Sequence, residues 1–458
     1  MKKTVIALLL CVGLTAHAQW YTGISKQTNL ALCIHLTDTS VELYSPMQTM
    51  DPLQVSSWSL DGNKLTIECK TLGFKTVLTR NNANSDEDLP DWVEEKYLWQ
   101  GYWKQGFLKE DITFYPTDTI YQLRRPQTPQ PPYRFDEEIV VAEYTDSQGN
   151  PVHLEGILTY PKGVGRFPCI VLVSGSGQQN RDEEIFQHKP FLVLADYLAS
   201  RGIAVLRYDD RGVGASIGNI DNADTRLFAE DAEAMFRALK GNKHVDPKRL
   251  GMGGHSEGGA IAPMVAARNK DVKFVVMLAG QGCTGLDVML QQNEAIFRAN
   301  GLSDKLISIR LACMRDLFAL PAGSSQKEFK AVIDRHTNGL AKDQIDSIGL
   351  GRGAAAASKQ QMDSRWMQTF ITLEPAEYLP KVECPILALI GNKDMQVPPQ
   401  PNIERIFELN PKANCILELG LNHLFQHCTT GSPDEYMLIE ETFAPGVMKT
   451  IADWILEQ

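Results

Sequence analysis

The sequence has no block of like charges, no internal repeat and no low-complexity tract. With 43% hydrophobic and 22% charged residues, those absences exclude a disordered, collagen-like or coiled-coil chain. Clustered Lys and Arg are also missing, and the formal net charge is −11. Neutralising phosphates needs such clusters, so non-specific nucleic-acid binding is excluded, although a local basic pocket is not. Among nine cysteines there is no Cys-x-x-Cys pair, which removes the common zinc and dithiol motifs. No glycine loop of the phosphate-binding type carries a lysine, and the histidines are dispersed, so neither a metal nor an organic cofactor is implied.

What is present begins with an address. The opening MKKTVIALLLCVGLTAHAQW reads as a secretory signal peptide. Lys2 and Lys3 form its positive start, Thr4 to Leu14 its apolar stretch, and Ala16-His17-Ala18 its small-residue cleavage site. The competing reading is a membrane anchor, but the apolar run is short against roughly 30 Å of hydrocarbon. Cys11 follows Leu10 rather than a small residue, which disfavours a lipoprotein anchor. The expectation is export to the periplasm or beyond after cleavage near Ala18, with no membrane span later in the chain. Loss of Cys11 leaves eight cysteines in a compartment that permits disulfides. Cys33 with Cys69, or Cys415 with Cys428, could pair; free buried thiols fit equally, because 458 residues do not need staples.

At this length two or three domains are expected. Residues 19–122 read as short strands: Leu30–Leu36, Ser40–Tyr44, Lys64–Cys69, Lys75–Thr79 and Asp111–Tyr115, with Asp61-Gly62-Asn63 as a hairpin turn. Trp99 to Trp103 adds aromatics at strand spacing. This predicts a small antiparallel β domain. Four prolines between Pro126 and Pro132 favour an extended connector, placed at 123–136. From 137 to 458 the pattern becomes strands alternating with amphipathic helices, the sign of a largely parallel sheet with helices on both faces. Phe167–Ser174, Ile203–Tyr208, Lys273–Ala279 and Cys384–Ile390 are nearly continuous apolar runs, as strands covered on both sides are. Between roughly 281 and 380 no buried strand is evident, and the helical pattern predicts an insertion over one end of the sheet.

Gly-x-Ser-x-Gly occurs twice, around Ser216 and around Ser256. Nucleophile chemistry needs a sharp strand-to-helix turn that lifts the serine clear of the backbone. Ser256 fits, with Arg249–Gly253 as strand and Gly259–Ala267 as a small-residue helix. Ser216 lies among Asp209-Asp210-Arg211-Gly212 and Asn219-Ile220-Asp221-Asn222 and reads as a turn residue. A serine hydroxyl barely ionises at neutral pH, so it needs a base, and the base needs an orienting carboxylate. In parallel-sheet hydrolases built on such a turn the chain order is serine, acid, histidine. Asp394 follows the strand ending at Ile390, and His423 follows Asn414–Leu419, with His427 as the alternative base. His255 is too close in sequence to reach Ser256 and is expected to pack beside the turn. The negative oxygen that develops during attack needs donors. The N–H of Glu257, at the helix start, is one; the second is assigned to Ser176 N–H, with Gly177 the neighbouring alternative.

These motifs resemble the α/β-hydrolase superfamily over roughly residues 137–458, and more narrowly bacterial carboxylesterases that carry a small β domain in front. SGSGQQNRDE at 174–183, DDRGVGAS at 209–216, GGHSEGG at 253–259, GNKDMQVP at 391–398 and LNH at 421–423 carry the resemblance. Ser174 stands where such esterases often have histidine. The resemblance implies ester hydrolysis through an acyl-enzyme and a helical cap over the pocket. It also makes Asp210 and Arg211 a structural pair and gives Arg181-Asp182-Glu183 the task of bracing the oxyanion loop. It would put Trp366, Met367 and Phe370 at the acyl pocket, although such a cluster on a helix also reads as plain core. The expected partner is a small-molecule ester or a short peptide, and homodimerisation is left open. Two competing functions are a peptidase or acyl-peptide hydrolase using the same triad, and a non-catalytic envelope-binding protein. An aminopeptidase would need two acids near the substrate amine, for which Asp287, Glu294, Asp334 and Asp363 are the candidates.

Overall fold

The computed structural model describes residues 19–25, 30–37, 39–82, 97–105 and 108–458. The expected signal peptide, residues 1–18, lies outside them. The chain divides into two compact units, one running to Arg124 and including Ile185–Gln187, the other comprising Arg125–Glu184 and His188–Gln458.

In the first unit the described residues form an antiparallel sheet of strands β1 (Gln19–Ile24), β2 (Ala31–Leu36), β3 (Val41–Ser45), β4 (Thr49–Leu53), β5 (Ser57–Asp61), β6 (Lys64–Cys69), β7 (Phe74–Asn82), β8 (Tyr97–Gln105) and β9 (Leu108–Thr117), ordered β4-β3-β2-β1-β9-β8-β7-β6-β5. The turn between β5 and β6 closes on an Asp61–Lys64 pair, with Gly62 at φ +57°. Alternation builds the core: Leu65, Ile67 and Cys69 point inward from β6 beside Trp99 and Trp103 of β8. The indole N–H of Trp103 donates to buried Glu110 at 2.6 Å. The disulfides that the spacing allowed are not formed, and the described cysteines are thiols. Cys33 Sγ instead lies 3.3 Å from Thr22 Oγ1, and the Cys428 thiol turns to the carbonyl of Gly420.

The second unit is built on strands β10 (Phe135–Thr145), β11 (Pro151–Pro161), β12 (Phe167–Val173), β13 (Ala204–Tyr208), β14 (Val245–His255), β15 (Val275–Leu278), β16 (Ile386–Gly391) and β17 (Asn414–Glu418), ordered β10-β11-β13-β12-β14-β15-β16-β17. The pairs from β13 to β17 are parallel, while β10–β11 and β11–β13 are antiparallel. On β12, Cys169, Val171 and Val173 enter one core and Ile170 and Leu172 the other, which is why the strand is apolar throughout. Helices α1 (Pro190–Ser200), α2 (Thr225–Ala238) and α3 (Glu257–Arg268) follow β12, β13 and β14. Side chains of α2 and α3 fill the first core and those of α1 the second. Asp224 accepts from the N–H groups of Arg226 and Leu227 and so starts α2, a cap worth about 1 kcal/mol. The chain reverses its direction of winding at β12, and the carboxyl ends of β12 and β14 meet at that switch point, where open sheets of this kind bind ligands.

The insertion between β15 and β16 consists of α4 (Gly285–Ala299), α5 (Asp304–Phe318), α6 (Gln326–Thr337), α7 (Lys342–Ser347), α8 (Ala354–Asp363) and α9 (Arg365–Phe370). Thr284, Ser303 and Ser364 cap α4, α5 and α9 through their hydroxyls, and Ser325 with Glu328 forms a capping box on α6. The insertion has a core of its own around Cys313, Phe329, Ile348 and Met362. Helices α10 (Pro399–Leu409) and α11 (Pro445–Leu456) complete the unit.

The proline-rich stretch differs from the expected connector. The boundary falls after Arg124, and the stretch is fastened to the second unit. The Arg125 guanidinium donates to the carbonyls of Met437 (2.8 Å) and Ile439 (3.0 Å), and Gln127 donates to the carbonyl of Phe443 and accepts its N–H. Prolines supply no N–H, so these side chains make the attachment, and β10 already begins at Phe135.

Candidate active site

Strand register brings the carboxyl ends of β12, β14, β15, β16 and β17 to one edge: Val173 pairs with Gly254, His255 with Leu278, Leu278 with Leu389, and Gly391 with Glu418. The loops leaving that edge carry the residues singled out above. Ser256 sits between β14 and α3 at φ +55°, ψ −117°, a left-handed backbone that a serine rarely adopts. Its N–H donates to Leu278 O at 2.8 Å. The flanking glycines are required by backbone crowding. A Cβ on Gly254 would lie 2.2 Å from Gly258 O, and one on Gly258 would lie 2.1 Å from Val173 O. The Ser256 side chain makes no capping bond to the helix it precedes, which leaves its hydroxyl free of that duty.

Asp394 and His423 are brought together. His423 Nδ1 lies 2.7 Å from Asp394 Oδ2, and both residues are buried. Asp394 Oδ1 accepts the N–H groups of Gln396 and Val397, each at 2.8 Å, which fixes the carboxylate plane. The two loops touch through backbone, Lys393 N–H donating to Leu421 O, and buried Asn422 accepts from Leu424 and Gln426 to shape the turn. His427, the alternative base, is turned outward and pairs with Glu441, its side chain 65% exposed. His255 is buried beside His423, their ring centroids 4.6 Å apart.

The two expected oxyanion donors lie on neighbouring loops. As the first residue of α3, Glu257 has an N–H with no carbonyl to receive it inside the helix. Ser176 is exposed in the loop after β12, next to Gly177 at φ +99°. Their side chains also meet: the buried Glu257 carboxylate takes bonds from Ser176, from Thr225 Oγ1 (2.6 Å) and from Trp366 Nε1 (2.9 Å). Burial holds the Glu257 carboxyl above its ordinary range despite those donors. The ends of the oxyanion loop are tied as well. Asp210 accepts Ser174 Oγ and Gln179 N–H, each at 2.8 Å, and Glu183 accepts Gly175 N–H at 2.6 Å. Burial pushes the Asp210 carboxyl up to about 8.

Two expectations need correction. Arg211 does not pair with Asp210; its guanidinium reaches Asp231 at 2.7 Å and Asp146 at 3.2 Å, both buried, so the charge is matched on the far side of the turn. Within the trio read as a brace, Glu183 alone holds the oxyanion loop, whereas Arg181 pairs with Asp209 and Asp182 with Arg207. Met367 is buried in the insertion's own core, and the partly buried Trp366 packs against the same cluster. Trp366, stacked on Phe370 at 5.0 Å, faces the elbow through Glu257. Beside it, Asp224 accepts from Arg365 and Thr369, so two carboxylates hold α9, Glu257 to the nucleophile turn and Asp224 to the start of α2. Sequence reasoning left out the anchoring roles of Glu257 and Asp224, for which the acids beside the elbow and the α2 cap were the only signal. Among the described residues no group of three His, Cys, Asp or Glu side chains is arranged to hold a metal.

Sheet order, elbow and helical insertion give the second unit the α/β-hydrolase fold. Residues 189–311 match the family described as "Serine aminopeptidase, S33". Esterase EstD of Thermotoga maritima is 29% identical over 287 residues, covering 62% of this chain and 61% of its own length. An uncharacterized 31.7 kDa protein of Escherichia coli is 25% identical over 253 residues, 54% of this chain and 80% of its own. Among solved structures, Est1E of Butyrivibrio proteoclasticus with bound ferulic acid aligns over 69% of this chain and 98% of its own at 18% identity and a TM-score of 0.40.

Proposed function

We propose that the protein is an exported serine esterase that hydrolyses carboxylic esters in two steps. The observation that carries this reading is the buried His423–Asp394 pair, 2.7 Å apart, on the same sheet edge as a serine held at φ +55°. Ser256 Oγ attacks the ester carbonyl as its proton passes to His423 Nε2, and Asp394 stabilises the imidazolium through Nδ1. The oxygen of the tetrahedral intermediate takes hydrogen bonds from Glu257 N–H and Ser176 N–H. Collapse expels the alcohol, which leaves with the proton from His423. Water, deprotonated by the same ring, then releases the acid and regenerates Ser256. The indole and phenyl faces of Trp366 and Phe370 form the acyl wall. Similarity to an esterase supports the reaction class, and the pattern of residues 1–18 supports export.

A fluorophosphonate probe tests the reading. Peptide mapping of the labelled protein should find the adduct on Ser256; an adduct elsewhere, or none, overturns it. Amide hydrolysis is the second reading, favoured by the description of the matching family. The four acids proposed to grip an amine are engaged on their own helices: Asp287 with Thr284, Glu294 with Arg298, Asp334 with Lys330 and Asp363 with Lys359. Parallel kinetics on short acyl esters and on aminoacyl anilides separates the two, with the ester favoured.

A further inference from the structure

The site contains a second histidine–carboxylate pair, and its bonds run to loops rather than to the nucleophile. His255 Nδ1 lies 3.0 Å from Glu183 Oε1, and His255 Nε2 lies 2.9 Å from the backbone oxygen of His423. The same Glu183 oxygen accepts Gly175 N–H at 2.6 Å. A carbonyl oxygen has no proton to offer, so Nε2 is the donor there. A carboxylate likewise offers only lone pairs, so Nδ1 also carries hydrogen. A neutral ring has one N–H and cannot satisfy both acceptors. Glu183 is itself held at φ +52°, a backbone that L side chains rarely adopt, at the point where it reaches both partners.

We propose that His255, as an imidazolium paired with Glu183, is a positioning residue that clamps the oxyanion loop, the nucleophile turn and the base loop in one register. The proposal rests on the esterase reading and deepens it. His255 immediately precedes Ser256, Gly175 opens the oxyanion loop, and the acceptor carbonyl belongs to the proposed base. One ring therefore spans all three loops that must agree within a fraction of an ångström for attack to be productive. The titratable groups facing the ring are Glu183 from the loop after β12, His423 from the loop after β17 and Asp394 from the loop after β16, and Phe425 closes the remaining side edge-on at 6.4 Å. Burial alone would drive the proton off His255; Glu183, the His423 carbonyl and Asp394 outweigh it, and the net direction is upward. The clamp is therefore complete below the ordinary imidazole value and opens as pH rises through the raised one.

The test combines Glu183→Gln and His255→Gln with ring ¹⁵N spectra of histidine-labelled enzyme. E183Q keeps an acceptor for Gly175 but removes the charge that holds the second proton. Expected are a fall in kcat of roughly 10- to 100-fold with KM nearly unchanged, and an alkaline limb of the pH profile displaced toward neutrality. H255Q should lose kcat similarly and lose that limb. In the wild type at pH 7 both His255 nitrogens should be protonated. Wild-type kcat and pH profile in E183Q, or one bare ring nitrogen on His255 in the wild type, overturns the proposal. If a variant fails to fold, the wild-type spectrum and its pH titration decide. If the fluorophosphonate probe misses Ser256, the esterase reading fails by itself, and the spectrum still tells whether the clamp exists.

Discussion

Ser256 and Ser216 both stand at the centre of Gly-x-Ser-x-Gly, and their surroundings show what the pattern leaves unsaid. At Ser256 the flanking glycines meet backbone: Gly258 O against Gly254, Val173 O against Gly258. At Ser216 the flanking glycines meet side chains, Asp209 against Gly214 and Arg211 against Gly218. The buried Ser216 hydroxyl is fully used, donating to Asp209 O at 2.8 Å and accepting Glu155 N–H at 3.0 Å. One turn strains a serine to present it; the other employs a serine to tie loops. The second turn serves the first, since Asp209 and Asp210 beside Ser216 bind residues of the oxyanion loop and its continuation.

This contrast can be broken most decisively by activity. Ser256→Ala should lower turnover of p-nitrophenyl acetate by roughly four to six orders of magnitude, whereas Ser216→Ala should keep kcat within about twofold. Comparable losses in both variants would erase the distinction. Packing comes next. Gly258→Ala drives a methyl into Val173 O, and chemical denaturation should show a loss of about 4 kcal/mol or more, or no soluble protein. Gly218→Ala, which meets the Arg211 stem at 3.0 Å, should cost about 1 kcal/mol. Ser216→Ala strands the Glu155 N–H and should cost at least as much, about 1–3 kcal/mol, in the same experiment.

The finest expected effect concerns pH. The Asp210 carboxyl is held near about 8 in the folded protein against an ordinary 3.8. Below the ordinary value both states hold the proton; between the two values only the folded state does, so stability falls as pH rises across that window and the contribution is gone above it. Asp210→Asn keeps an acceptor for Gln179 N–H and cannot titrate. Urea midpoints followed from pH 4 to 8 should decline less steeply in D210N than in the wild type, and parallel slopes would show that Asp210 is ionised throughout.

The sequence made some layers readable and hid others for physical reasons. Continuous apolar runs such as Phe167–Val173 announced buried parallel strands because both faces are covered. The antiparallel β10–β11 pair is hidden in the sequence because it alternates: Ile139 and Val141 of β10 are exposed while Val140 and Ala142 are buried, and its glutamates imitate a loop. Asp394 and His423 could be named because each follows a strand end in an order that the fold dictates. Met367 and Trp366 could not be ranked by burial, since composition does not say which way the insertion's core lies, and both pack against it. Charge partners were hidden altogether. Arg211 finds Asp231 and Asp146, and His255 finds Glu183, across separations that local spacing cannot rank.

The attachment of Arg125 and Gln127 to residues 437–443 has a consequence for the order of assembly. Synthesis is vectorial, so the amino-terminal edge of the second unit waits for residues 437–443, some three hundred positions later, before it can be fastened. The His423 turn is linked to that stretch too, through Gln426, His188 and Thr442. The start of the unit and the turn that carries His423 therefore share one fastening, and removing residues 437–443 would release both.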